Sequence, residues 1–284
     1  MKYDPEMISL FSLIDDSDSF VRSAVRERII EKGVEAVERM EVWVREALTK
    51  GNLEEKLLFL DDVKAEIYLL RFVQLLQSPQ PPLAKGFFMI SKIAETYAEE
   101  SIFNAALESL SNEFCVEVSG EKTPFENIEI FNFLFFKKFG FSHTDTQMQR
   151  RDNARIDTVI LSRAGNPVAI SLTYFLLARA AGLPVYPLCF TGGFVPVYLS
   201  TEGNIEFYLN IFKQGAIFLE DTLVQFFEDI GMSYNPESLK IEEERALLTI
   251  YAELLNFVYK NNGNQLVCER MEKVVKALGG NRFL

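Results

Sequence analysis

From residue 5 to about 118, apolar residues return every three to four positions, a spacing that predicts a series of amphipathic helices. In DDSDSFVRSAVRERII, Val21, Val25 and Ile29 form one stripe, Asp18 or Ser19 is placed to cap the helix, and Gly33 marks its end. VEAVERMEVWVREALTKG and NLEEKLLFLDDVKAEIYLLRFVQLLQS continue the pattern until Gln-Ser-Pro-Gln-Pro-Pro at 77 to 82 breaks it. KGFFMISKIAETYAEE and SIFNAALESLSNEF predict two further helices.

After SGEKTP the character changes. NIEIFNFLFFKKFGF reads as a Phe-dense helix whose rings bury against a neighbour. VAISLTYFLLARAAGLP is apolar nearly all round, which a surface helix is not, so it predicts a buried central helix. VYPLCF, FVPVYL and IEFYLNIF follow as short runs of strand formers separated by turn residues, the pattern of a small antiparallel sheet. Pro187 and Pro196 each remove a ladder donor, so edges or bulges are expected there. From about 236 helix returns, as two segments joined around Asn262-Gly263, with Leu248, Tyr251, Leu255 and Tyr259 along the first; this pair looks like one tetratricopeptide-type unit.

Composition narrows the classes. With 284 residues, 48% of them hydrophobic, the chain is long enough to bury a substantial core. No long uncharged apolar window predicts a membrane span, and the opening MKYDPEMISLF carries Asp4 and Glu6 where a secretory leader is cationic and then apolar; a cytoplasmic location is the expectation. The formal charge of -12 opposes binding to a phosphate backbone, so nucleic acid is not an expected partner. MQRRDNAR at 148 to 155 is read as arginines of a polar loop that pair with carboxylates or face water, in preference to an anion grip. Cys115, Cys189 and Cys268 are odd in number, far apart and outside any CxxC or Cys/His cluster, which suggests reduced thiols and no zinc site. Phosphate-loop and dinucleotide-loop glycine patterns are missing, and one histidine is too few for the His-based zinc and di-iron motifs, so no cofactor and no metal are expected.

GNPVAISLTYFLLARAAGLP, at 165 to 184, resembles a segment of the bacterial transglutaminase-like proteins of the SirB type, and FKKFGF followed by RRDNARIDTVIL fits the same pattern. The resemblance is close from about 126 to 215 and loose elsewhere. It implies an α+β, mostly helical fold. A papain- or transglutaminase-like core at 121 to 235, with a buried central helix against a small antiparallel sheet, would be flanked by an N-terminal helical region at 1 to 120 and a tetratricopeptide-like helix pair at 236 to 284. Such cores place a nucleophilic Cys at the start of the buried helix, with a His and an Asp on neighbouring strands. The imidazole lowers the thiol pKa and shuttles its proton while the acid fixes the tautomer. Aligned with the family, the Cys slot is Pro167, the His slot Gly193 and the Asp slot Asn210, and none of the three has the required side chain.

That leaves Cys189, which stands where relatives have glycine, four positions before Gly193; on a regular strand both would face one cleft. It is either a relocated thiol or a small residue filling a strand core, and the second is the commoner role of free cysteine. His143, in FSHTDTQ, is the one imidazole that a Cys189–His143 thiol hydrolase or transferase would have to use; the alternative is a solvent-facing or turn-capping residue. Ser171, one turn into the central helix, is expected to bond a backbone carbonyl. Cys189, Ser171, Tyr174 and Phe194 are the candidate cleft residues, with no catalytic residue expected. The leading expectation is a degenerate, non-catalytic transglutaminase-like protein whose cleft or helical flanks bind an unknown peptide or protein, or serve regulation. The alternatives are the rewired thiol enzyme and a protein that interacts purely through its helical surfaces.

Overall fold

The computed structural model describes residues 5–47, 53–144, 149–231, 233–281 and 283–284. Asp4 and residues 145–148, which belong to the leader, histidine-loop and arginine-loop readings, lie outside the described residues. The chain is α+β and mostly helical. Six helices come first: α1 Pro5–Ser12, α2 Ser19–Lys32, α3 Val34–Ala47, α4 Leu53–Leu75, α5 Leu83–Ala94 and α6 Glu100–Glu117. The α2 helix starts where Asp18 accepts the Phe20 amide at 2.8 Å. The α5 helix stops at Ala94, earlier than the apolar spacing suggests, where Lys92 donates to the Thr96 carbonyl at 2.6 Å.

The Phe-dense segment is α7, Pro124–Asn132, running on into a wider π-helical stretch, Phe133–Lys138. Then come β1 (Ser142–His143), α8 (Arg151–Ala154), α9 (Ile156–Ser162), β2 (Ala164–Gly165) and the central helix α10 (Pro167–Ala180). Three strands follow, β3 Val185–Phe190, β4 Gly193–Leu199 and β5 Ile205–Asn210, and after a 3-10 turn at Ile211–Lys213 comes β6, Ala216–Phe218. The chain closes with α11 (Leu223–Asp229), β7 (Lys240–Ile241), α12 (Glu244–Asn261) and α13 (Gln265–Ala277). None of the helices among the described residues is long and apolar enough to cross a membrane.

One continuous core takes side chains from the far half of α4, at Phe72, through to Leu278 after α13. Every residue of α10 from Ala169 to Ala178 is buried, and all but Ser171 and Thr173 belong to this core, as a helix apolar nearly all round requires. The closing pair α12–α13 shares this core, with Leu248, Tyr251, Leu255 and Tyr259 fully buried. A second cluster, built on Val25, Ile29, Val37 and Met40, joins α1–α3 to the near half of α4 at Leu60 and Val63. The 23-residue α4 belongs to both clusters.

The five-stranded sheet has the order β6-β5-β4-β3-β7, every pair antiparallel. Strand alternation splits its side chains: Val185, Cys189, Tyr198, Phe207 and Leu209 join the main core, while Leu188, Phe190, Val195, Val197 and Tyr208 form a third cluster with Leu223 and Phe227 of α11. The two prolines are not at edges or at the bulge, which falls at Tyr198/Leu199. They sit opposite one another on the inner strands β3 and β4. The Glu242 amide donates to the Pro187 carbonyl at 2.9 Å, so the backbone groups of Pro187 point to the β7 side and those of its partner Pro196 to the β5 side. Neither proline therefore interrupts the β3–β4 ladder. The recorded β4–β5 ladder ends at Val197–Tyr208, and by the same alternation the amide and carbonyl of Phe194 face the β5 side beyond that end.

Candidate functional site

The start of α10 is set by Asn166 and Pro167. The Asn166 side chain, 2% exposed, accepts the Ala169 amide at 2.8 Å, and Pro167 occupies the first helical turn, where its missing N–H costs nothing. One turn on, Ser171 donates its hydroxyl to the Pro167 carbonyl at 2.9 Å. A cavity of about 320 Å³ opens between this turn and the end of the sheet. Val168 and Ser171 line it from the helix, Gly193, Phe194 and Pro196 from β4, Leu209 and Asn210 from β5, and Phe226 and Ile230 from α11 and its end. Among the described residues, none that lines this cavity carries an ionisable side chain.

The sequence-predicted residues divide between cavity and core. Ser171, Gly193, Phe194 and Asn210 line the cavity, and Pro167 lines a neighbouring one on the α12 side. Cys189 and Tyr174 do not line the cavity, and both lie in the main core. Cys189, 3% exposed, has Phe194 as its register partner, and of the two only Phe194 lines the cavity. Burial, with Glu242 adding to it, pushes the Cys189 thiol up to about 12, far from a thiolate at neutral pH. Tyr174 is turned into the Phe-rich seam, edge-on to Phe131 and Phe135, and donates its hydroxyl to Asn132 Oδ1 at 2.8 Å.

Gly193 and Cys189 face opposite sides, contrary to the expectation from their four-residue spacing. A tight turn at Thr191–Gly192 intervenes, so the two are on different strands and Gly193 pairs with Phe190, on the outer face. A Cβ built on Gly193 would lie 2.9 Å from the Phe190 ring, which already fills that direction and packs at 4.7 Å on Phe227. Asn210 uses its side chain to accept the Lys213 amide at 3.1 Å, and so caps the 3-10 turn after β5.

His143 is on β1, in parallel register with Gly165; its Nε2 lies 3.5 Å from the Phe212 carbonyl, with the two rings in a T-shaped arrangement, centroids 6.0 Å apart. It thus neighbours the end of β5, whereas Cys189 is on β3, two strand spacings or about 10 Å from β5. No hydrogen bond among the described residues joins them. Of the arginine-loop residues, Arg155 pairs with a carboxylate, as one of the two expectations had it, but in the interior: it is 2% exposed and bound to Asp157 at 2.5 Å and to the Tyr97 hydroxyl at 2.8 Å. Burial of its charge is tolerated because Asp157 neutralises it. Among the described residues, no cluster of three or more His, Cys, Asp or Glu side chains could hold a metal ion.

A buried helix whose first turn abuts an antiparallel sheet is the frame of the family that the motif resembles. The sequence matches the family model described as the transglutaminase-like superfamily over residues 102–252, more than half of the chain. The chain belongs to the transglutaminase-like superfamily. The matched stretch runs from α6 to midway along α12, so the superfamily region contains α10, the whole sheet and, Leu284 apart, the lining of the cavity between them. Comparison with curated proteins and with solved structures finds no match.

Asn166 and the apolar rim were not singled out from the sequence. Asn-Pro before an apolar run is a legible helix start. Val168 and Ile230 carry no sequence signal that separates cleft from core.

Proposed function

We propose that this chain is a non-catalytic member of the superfamily whose cleft, between the first turn of α10 and the open end of the sheet, binds a peptide segment of a protein partner. The observation that carries this reading is the cavity's lining: apolar walls, glycine, Ser171 and Asn210, with no thiol, imidazole or carboxylate side chain among the described residues. Acyl transfer by the family's chemistry needs a thiolate and a base in reach of one carbonyl. Pro167, Gly193 and Asn210, taken as the former Cys, His and Asp positions, offer neither. What remains fits ligand binding: an apolar pocket with a few polar groups and an unladdered stretch of strand.

The same reading includes kinship with the SirB type, a tetratricopeptide-like role for the α12–α13 pair and a cytoplasmic location. The order of parts and the RRDNARIDTVIL and GNPVAISLTYFLLARAAGLP segments support the first two.

The test has two arms. Wild-type protein assayed with glutamine-containing peptides and primary amines should give no turnover above that of the Cys189→Ala and His143→Ala variants. Peptides selected by phage display against the wild type should lose binding to Phe212→Asp and Ile230→Asp, two exposed positions on the cavity rim. Turnover that disappears in Cys189→Ala would establish the rewired thiol enzyme instead. Selected peptides that ignore both rim variants would remove the cleft from consideration.

A further inference from the structure

Two cavities flank the first turn of α10. One is the 320 Å³ cleft already described; the other, of about 500 Å³, lies between Pro167 and the α12 residues Asn256 and Phe257. Val168 and Leu284 line both of them. Leu284, 46% exposed, and Val168 thus stand together between two neighbouring spaces at the α10 start.

The segment bearing Leu284 is held through its backbone. The amides of Phe283 and Leu284 both donate to Glu253 Oε2, at 2.9 and 3.1 Å, and Glu253 is a carboxylate of α12 only 6% exposed. Phe283 packs against the main core. A single buried carboxylate oxygen that accepts two successive main-chain amides recognises a backbone turned so that both N–H groups point to one side, whatever its sequence, and bonds of this charge-assisted kind are the stronger sort. Selectivity then falls to the side chain beside it. Around Leu284 the exposed rim carries Phe212 and Ile230 on the first cavity, and Phe257 beside Lys260 on the second. On the far wall, the Phe194 backbone groups face the cleft side of β4.

We infer that residues 283–284 are a resident occupant of a peptide groove, and that the groove's external ligand is a segment that turns two successive main-chain amides towards Glu253 and offers a large aliphatic side chain in place of Leu284. The inference rests on the peptide-binding reading above and names its ligand class. A tethered segment competes at an effective concentration of about millimolar, so an external peptide binds the wild type only weakly.

The probe is a fluorescein-labelled, amidated peptide with the sequence of residues 279–284, Gly-Gly-Asn-Arg-Phe-Leu, followed by anisotropy on full-length protein. Leu284→Asp should bind it about tenfold more tightly than wild type, or better, because the internal competitor is lost. A peptide ending in Asp should show no such gain, and adding Glu253→Gln to Leu284→Asp should weaken the binding again. In wild-type protein, hydrogen exchange at the Phe283 and Leu284 amides should be slow, and fast in Glu253→Gln. Equal affinity of wild type and Leu284→Asp for the probe, or unprotected amides at 283 and 284 in the wild type, would overturn the inference. If that happens while phage-selected peptides still depend on Phe212 and Ile230, the resident occupant alone is lost and the cleft reading stands.

Discussion

Cys189 shows how one residue's chemistry is decided by what surrounds it. The same thiol in solution would ionise near 9.0, but here burial in the main core, with Glu242 nearby, raises it to about 12. Exposure orders the cysteines differently, since Cys115 is exposed and Cys189 and Cys268 are buried. Iodoacetamide at about pH 7.5 should therefore modify Cys115 first and reach Cys189 only after denaturant is added, as peptide mapping can follow. A raised thiol pKa also carries a sign for stability. The contribution of neutral Cys189 is complete below its ordinary value and is lost as pH climbs from about 9 towards about 12. Equal labelling rates for Cys115 and Cys189 in the native protein would contradict this placement.

At the scale of elements, the central helix is fixed by a relay of hydrogen bonds through the Asn132 side chain. Tyr174 of α10 donates to Asn132 Oδ1 at the end of α7, and Asn132 Nδ2 donates to the Gly215 carbonyl, at 2.8 Å in each case, in the turn between β5 and β6. Gly215 has φ +74, and a Cβ there would run into the Asn132 amide. Left-handed backbone costs a non-glycine residue about 1–2 kcal/mol. Displacing Asn132 would leave buried polar atoms unbonded, at about 1–3 kcal/mol more. Gly215→Ala should thus lower the unfolding free energy by at least about 2 kcal/mol in a urea titration, with an unchanged denaturant slope. A loss below about 0.5 kcal/mol, the range of surface substitutions, would mean that the relay does not hold α10 in place.

Across the whole molecule, charge ties the N-terminal helices to the main core. Arg270 of α13, 5% exposed, reaches Asp61 at 2.8 Å and Asp62 at 3.3 Å on α4, and Asp62 is also bound by Arg26 of α2 at 2.7 Å. Partial burial alone would raise the Asp62 pKa, but the Arg26 hydrogen bond and the charges of Arg26 and Arg270 outweigh it and hold the carboxyl below its ordinary 3.8. For a depressed carboxyl, the stabilisation is complete above the unfolded value and is lost as pH falls through the native one. Tm measured from neutral pH downward should hold until about pH 4 on this account and then fall, and Asp62→Asn should flatten that acid limb while lowering Tm at neutral pH. An acid limb unchanged by Asp62→Asn would place the sensitivity elsewhere.

The helical N-terminal region, the buried central helix and strands β3 to β5 were all legible in the chain, because each rests on local periodicity: 3.6 residues for helices, 2 for strands, and an all-apolar run for α10. The edge strands β6 and β7, three and two residues long, left no pattern to read. The Asn-Pro start of α10 was also legible, since caps are set by neighbours in sequence. Which way a side chain faces after a turn was not: Gly193 and Cys189 are four residues apart, yet a hairpin sends them to opposite faces. Nor could periodicity foretell the pairing of Pro187 with Pro196, the burial of Arg155 against Asp157, or the meeting of Leu284, Glu253 and Val168. Those depend on contacts between residues up to 116 positions apart, as between Val168 and Leu284, which only the packed chain brings together.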